Sequence, residues 1–152
     1  MKVVIASDHG GYALKGELIP YIQSLGHEVA DYGTYSADAV DYPDFAFLVA
    51  EAVAAGACDR GIMIDGIGAA SAVVCNKVPG VRAASCSDTF TAATSRSHND
   101  SNVLALGARV IGGGLAQQVV RIWLDTEFEG GRHMRRVNKV IEFERRYLVN
   151  RE

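Results

Sequence analysis

Five short runs rich in Val, Ile, Leu, Met and Ala recur along the chain, and each ends at a polar or glycine-containing turn. Runs of this length bounded by turn residues are typical of strands buried in a parallel sheet. The pattern predicts strands at Val3–Ala6, His27–Asp31, Gly61–Asp65, Val81–Cys86 and Asn102–Leu106.

Between these runs, apolar residues recur at helical spacing. The first such segment has Leu and Ile on one stripe and a stop at Gly26, and Pro20 inside it predicts a kink or a frayed turn. Pro43 suits a first helical turn, Gly56 suits a stop, and Ser87 suits an N-cap. The predicted helices are 12–25, Pro43–Ala55, Ala69–Lys77, Asp88–Ser97, Leu115–Asp125 and His133–Asn150.

The alternation of strand and helix five times, with short connections and a last helix, predicts a parallel sheet covered by helices on both faces. No linker or internal repeat interrupts residues 1–152, so we expect a single domain. Ligands of such sheets bind beyond the carboxyl ends of the strands. That edge should carry residues 8–11, 31–42, 65–68, 86–88 and 107–109.

Composition narrows the classes of function. The net charge of −3 gives no basic field for nucleic acid. No apolar stretch is long enough to cross a membrane, and three cysteines without a pairing or zinc spacing fit a reducing compartment. We therefore expect a soluble cytoplasmic protein.

The turn Asp65-Gly66-Ile67-Gly68-Ala69-Ala70-Ser71 follows a predicted strand and opens a predicted helix. Glycines let the backbone approach a ligand, and free N–H groups at a helix start attract anions. A tight turn without a ligand explains the pattern equally well, and it matches neither the dinucleotide nor the phosphate-loop motif. Asp65 itself is either an N-cap or a base.

Other polar residues have two interpretations as well. Asp8 and His9 follow the first strand, either as a polar turn or as part of a site. Arg132 and Arg136 are four residues apart, so a helix would aim both guanidiniums at one phosphate, although a solvated basic face is the alternative. His98 and Asn99 precede a strand, so topology alone does not bring them to the predicted edge.

Several segments together resemble the type B ribose-5-phosphate isomerase family, which includes the galactose-6-phosphate isomerase subunits. The resemblance spans nearly the whole chain and rests on SDHGGYALK near the start, DYPDFA at 41–46, NKVPGVRAA at 76–84, SRSHNDSNVLALGARVIG at 95–112 and EGGRHMRRV at 129–137.

The resemblance implies a Rossmann-like three-layer α/β/α sandwich with a five-stranded parallel sheet. It also implies aldose–ketose isomerisation of a sugar phosphate through an enediolate, without cofactor, in homodimers or homotetramers whose active sites lie at the subunit interface. Asp8 and His9 would contact the substrate and help open the sugar ring, and Tyr42 would also contact the substrate. The backbone N–H groups of 66–70 would stabilise the enediolate. His98 would open the sugar ring and Asn99 would hold a substrate oxygen. The phosphate would be bound by Arg109, Arg132 and Arg136.

The chain departs from the family at the base. Many members begin the loop with cysteine in a C-G-[TS]-G pattern, and another branch uses glutamate at the position of Ser71. Here Asp65 occupies the cysteine position and Ile67 replaces the small hydroxyl residue. Asp65 together with Gly68, Ala69 and Ser71 resembles one galactose-6-phosphate isomerase subunit, which has an I-D-x-x-G-A-x-S pattern. The leading hypothesis is a working isomerase with Asp65 as base. The alternatives are a non-catalytic partner of a cysteine-bearing paralogue and a sugar-phosphate-binding protein.

Overall fold

The computed structural model describes residues 1–149, which form five parallel strands and six α-helices. The strands are β1 Lys2–Ser7, β2 Glu28–Asp31, β3 Arg60–Asp65, β4 Ala83–Ser85 and β5 Val103–Gly107. The helices are α1 Tyr12–Ser24, α2 Tyr42–Ala54, α3 Ala69–Cys75, α4 Thr89–Ser97, α5 Gly113–Asp125 and α6 Arg132–Val149. One 3₁₀ turn, His9–Gly11, links β1 to α1.

The sheet has the order β2-β1-β3-β5-β4, and all its pairings are parallel. On one face, strand side chains such as Ile5 and Ile62 pack with α1 and α5 around Trp123. On the other face, Val4 and Met63 pack with α2. The predicted three-layer α/β/α sandwich is therefore confirmed.

Most predicted elements agree with the structure within two residues, and the differences have local causes. β4 is shorter than predicted and lies at the edge of the sheet, next to β5 alone. The N-cap of α4 is Asp88 and not Ser87, because the Asp88 carboxylate accepts the Thr91 N–H at 2.7 Å. α1 is not broken at Pro20. Asn150, the predicted end of the last helix, lies outside the described residues.

Gly11, in the turn after β1, packs directly against Ile64 of β3. A Cβ added there would meet the Ile64 carbonyl oxygen at 2.5 Å and its Cγ2 at 2.7 Å. No side chain fits this gap, so Gly11 lets the turn after β1 lie directly against β3. Gly16, one turn into α1, is exposed and would meet nothing within 4 Å.

We expect Gly11→Ala to lower the free energy of unfolding by about 1–3 kcal/mol, since overpacking moves the backbone. Gly16→Ala is the matched control, and it should raise that free energy by about 0.5–1 kcal/mol because alanine favours the helix. Urea denaturation of both variants measures the difference. Equal effects of the two substitutions would contradict the close packing at Gly11.

Candidate active site

The crevice at the carboxyl edge between β1 and β3 is the place where the order of the strands in the sheet reverses. β1 is followed by α1 on one face, whereas β3 is followed by α3 on the other. Neighbouring strands whose connections leave in opposite directions open a ligand-binding crevice at their ends. The turn after β1 contacts the end of β3, where the Asp8 N–H donates to the Ile64 carbonyl at 3.1 Å.

Asp8 and His9 form one wall of this crevice. Asp8 is 9% exposed, and its Oδ1 accepts the Gly11 N–H at 3.1 Å. His9 is exposed, and its Nδ1 lies 3.2 Å from both the N and the O of Val40. The loop before α2 therefore fixes one ring nitrogen of His9 and leaves Nε2 for other contacts.

Asp65 ends β3 on the opposite wall and is 2% exposed. Its Oδ1 accepts the N–H groups of Ile67 at 2.7 Å and Gly68 at 2.5 Å. Its Oδ2 accepts the Ser71 N–H at 2.8 Å and the Ser71 hydroxyl. These four hydrogen bonds are those of a carboxylate that caps a helix and shapes a turn.

The Asp65 carboxylate also limits which backbone N–H groups of the loop remain free to bind a ligand. The N–H groups of Ile67 and Gly68 already point at Asp65, so the donors left at the start of α3 are those of Gly66, Ala69 and Ala70. The Ile67 side chain is 58% exposed at the surface of the loop. Three N–H groups of the loop thus stay available to a ligand, while the loop's own carboxylate occupies the others.

Arg109 and Tyr42 lie at the same edge of the sheet. Arg109 follows β5, and its side chain passes over Gly66, with Cδ 3.7 Å from the position of an added Cβ. Tyr42 begins α2 after the loop from β2 and is partly exposed. The structure thus brings Arg109 and the 65–71 loop into contact and places Asp8, His9 and Tyr42 along one edge.

His98 and Asn99 lie at the other edge of the sheet. They follow α4, which runs from the carboxyl edge back to the start of β5. Arg82, immediately before β4, donates to the Asn99 carbonyl at 3.2 Å and pairs with Asp100 at 3.0 Å. Contacts with the residue that precedes a strand place His98 and Asn99 at the amino edge.

The start of α6 lies beside them. The His133 ring stacks on the His98 ring with centroids 4.0 Å apart, and Arg136 lines a groove together with Asn99. Arg132 and Arg136 are both exposed on this helix. The second group of predicted site residues is therefore His98, Asn99, Arg132 and Arg136, and all four belong to the amino edge.

The two groups are too far apart within one chain to hold one sugar phosphate. The four steps of β5 from Val103 to Gly107 alone span about 13 Å at 3.3 Å per residue. The structure brings the predicted residues together as two half-sites, one at each edge. We call them the carboxyl-edge half-site (Asp8, His9, Tyr42, 65–71 and Arg109) and the amino-edge half-site (His98, Asn99, Arg132 and Arg136).

His98, Glu129 and His133 have potential metal-ligand atoms within 4.8 Å of one another. The two imidazole planes are only 11° from parallel, so their in-plane lone pairs run side by side. Two such rings do not converge on one ion unless one of them turns. The arrangement as it stands is a stacked pair.

Sequence reasoning missed His133. It lies inside the EGGRHMRRV motif, in which only Arg132 and Arg136 were predicted to have a role. In the structure the His133 side chain is 4% exposed, whereas both arginines are exposed. Its partner His98 is 35 positions away, and no spacing rule joins two residues at that separation. The one available signal was a histidine on the stripe that includes Val137, four residues later, which is also buried.

The family model for Ribose/Galactose Isomerase matches residues 3–140. Ribose-5-phosphate isomerase B of Escherichia coli is 45% identical over 95% of this chain and 97% of its own length. The D-erythrulose-4-phosphate isomerase of Pectobacterium atrosepticum is 40% identical over 95% of each chain. The structure of Clostridium thermocellum ribose-5-phosphate isomerase B superimposes with a TM-score of 0.95 at 53% identity, over 97% of this chain and 99% of that one.

Fold and sequence similarity therefore define a sugar-phosphate isomerase. The chain belongs to the ribose/galactose isomerase family. None of the helices within residues 1–149 is both long and apolar enough to cross a membrane.

The cysteines of this chain are predicted not to act as nucleophiles or bases. Cys58, Cys75 and Cys86 are at most 4% exposed. Burial, assisted by the charge of Asp65, raises the pKa of Cys75 to about 12, and burial also raises the pKa of Cys58 and of Cys86. Since the thiolate is the reactive form, iodoacetamide at pH 8 should leave activity intact and label the thiols only after unfolding. Rapid inactivation with labelling of Cys86 would contradict this.

Proposed function

We propose that this chain interconverts ribose 5-phosphate and ribulose 5-phosphate through an enediolate, at a site completed by a second copy of the chain. The observation that carries the proposal is the separation of the two half-sites. The carboxyl-edge half-site has carboxylates and free N–H groups, and the amino-edge half-site has an imidazole and two guanidiniums. Only together do they supply proton transfer, oxyanion stabilisation and phosphate binding.

A second copy is also favoured by the surface of α6. This helix exposes apolar side chains, among them Val140, Phe143 and Tyr147, along a groove of about 690 Å³ that also includes Arg136. An exposed apolar stripe of this kind on a single domain is typical of an interface between subunits. Two-fold symmetry would repeat each contact and form two sites per homodimer, and a homotetramer would contain two such pairs.

The roles of the amino-edge residues follow from their chemistry. Arg132 and Arg136 lie one helical turn apart on α6, and with Arg109 across the interface they form three guanidiniums for one phosphate. His98 is the group that moves a proton to or from the ring oxygen. Asn99 has an amide that can hold a sugar hydroxyl or carbonyl.

Asp65 is proposed as the base that moves the proton between C1 and C2, the role that a carboxylate performs in triosephosphate isomerase. Three of its four donors are backbone N–H groups and cannot leave, but the Ser71 hydroxyl can rotate. Oδ2 is therefore the oxygen that can accept a proton from the substrate, once the Ser71 Oγ–H turns away.

The same hydrogen bonds favour a second candidate. A carboxylate that accepts four bonds and is 2% exposed is fully used by the loop itself. In this alternative, the chain contributes its amino-edge half-site to a cysteine-bearing paralogue and leaves its own carboxyl-edge half-site idle. A sugar-phosphate-binding protein without turnover is the third possibility.

Subunit mixing tests the shared site. Asp65→Asn damages the carboxyl-edge half-site and His98→Ala damages the amino-edge half-site, so a mixed dimer contains one site with neither change. After unfolding and refolding together, the two inactive variants should recover about a quarter of the parent activity, because half of random dimers are mixed. Asp65→Asn mixed with Asp8→Asn is the control and should recover nothing. Equal recovery in both mixtures, or in neither, would contradict a site shared between copies.

Solvent exchange tests the base. Asp65→Asn keeps the shape of the side chain and removes the proton acceptor, so exchange of the substrate C1 or C2 hydrogen with deuterium should slow by about 10²–10⁴-fold. Substrate affinity should change little, because the three arginines are untouched, and Ser71→Ala should matter less. If Asp65→Asn exchanges as fast as the parent, Asp65 is a cap only. Exchange that appears only after mixing with a cysteine-bearing paralogue would establish the partner-subunit alternative.

A further inference from the structure

His133 is a buried imidazole on a helix whose side chains are otherwise mostly exposed. It is 4% exposed, and its ring covers one face of the His98 ring at 4.0 Å with the two planes 11° apart. His98 is the C-cap of α4 and is half-buried. The stacked contact therefore fixes the plane in which the His98 ring lies.

Contacts with Glu129 and Gly130 fix the position of His133 in turn. Its Nε2 lies 3.5 Å from Glu129 Oε2, and the Glu129 N–H donates to the Ser97 carbonyl at 3.0 Å. The His133 N–H donates to the Gly130 carbonyl at 3.0 Å. The segment that carries His133 is thus tied to the residue next to His98, so the two rings keep their relative position.

The charges around His133 favour its neutral form. Burial lowers its pKa most, and His98, Arg132 and Arg136 lower it further, whereas only Glu129 acts in the opposite direction. A neutral His133 ring adds no positive charge beside His98, so the stacked contact does not depend on offsetting repulsion between two imidazoliums.

We propose that His133 is a positioning residue for ring opening: its stacked ring holds the His98 imidazole where it reaches the ring oxygen of a furanose phosphate. In that step the bond between C1 and the ring oxygen breaks, and the ring oxygen takes a proton from His98. The C1 hydroxyl gives its proton to solvent water as the aldehyde forms, and His98 regains a proton from solvent. The inference rests on the proposed function, in which His98 performs this proton transfer.

Ring opening can be measured apart from enediolate formation. Ribose 5-phosphate is a furanose and must open before C2 loses its proton. Ribulose 5-phosphate cannot close a five-membered ring, because its O5 carries the phosphate, so exchange of its C1 hydrogen requires no ring opening. A residue that acts on ring opening alone affects the first reaction and spares the second.

The experiment compares His133→Ala, His133→Phe and His133→Gln with the parent. Loss of orientation should lower kcat for ribose 5-phosphate by about 10–100-fold in His133→Ala, with KM unchanged within about twofold. Deuterium exchange into ribulose 5-phosphate should match the parent. His133→Phe keeps a flat ring and should restore most of kcat, whereas His133→Gln can still reach Glu129 but cannot stack and should not.

Lys139→Ala, an exposed change six positions further along α6, is the control and should behave as the parent. Light scattering and thermal unfolding check that all variants assemble alike, and if His133→Ala does not fold, the contrast between Phe and Gln decides. The positioning role would be overturned if His133→Ala lost ribose 5-phosphate conversion and ribulose 5-phosphate exchange equally, or lost neither. It would also be overturned if His133→Gln were as active as His133→Phe. A parent that neither converts nor exchanges any sugar phosphate would instead overturn the proposed function, and the inference with it.

Discussion

All five strands of the sheet run in one direction, and the rest of the molecule follows from this constraint. Every turn that leaves a strand lies at the carboxyl edge, and every turn that enters one lies at the amino edge. Asp8, Asp65 and Arg109 leave strands, whereas His98 and Asn99 enter one. No packing of the helices can bring the two groups together within a chain, so the site that we propose is completed by a second chain.

The loop after β3 shows how one carboxylate can serve the fold and compete with the chemistry. Asp65 replaces solvent and ligand as the acceptor for the N–H groups of Ile67, Gly68 and Ser71. These bonds hold the turn rigid at the point where a substrate would approach. A cysteine at this position would leave the same donors free, so the substitution exchanges anion-binding capacity for a loop that is organised before ligand binds.

The sequence predicted the parallel sheet and which turns lie at its carboxyl edge. Both follow from the strand and helix periodicities, which can be read from neighbouring residues alone. Asp8, Asp65 and Asp88 lie where the alternation put them. Local patterns could not decide between cap and base for Asp65, since both interpretations put the same residue at the same strand end. They could not find the pair of His98 and His133 either, because a stack between two helices depends on tertiary packing.

The separation of half-sites gives the partner-subunit alternative a physical basis. In a symmetric dimer each chain contributes different halves to two sites, so damage to one half removes activity only from the site that uses it. A chain could therefore lose a competent base at Asp65 and still be selected for His98, Arg132 and Arg136, provided that its partner retains the other half. The two alternatives therefore differ in one contact, the hydrogen bond from the Ser71 hydroxyl to Asp65 Oδ2. Asp65 acts as a base if that hydroxyl turns away when substrate binds, and it remains a cap if the hydrogen bond persists.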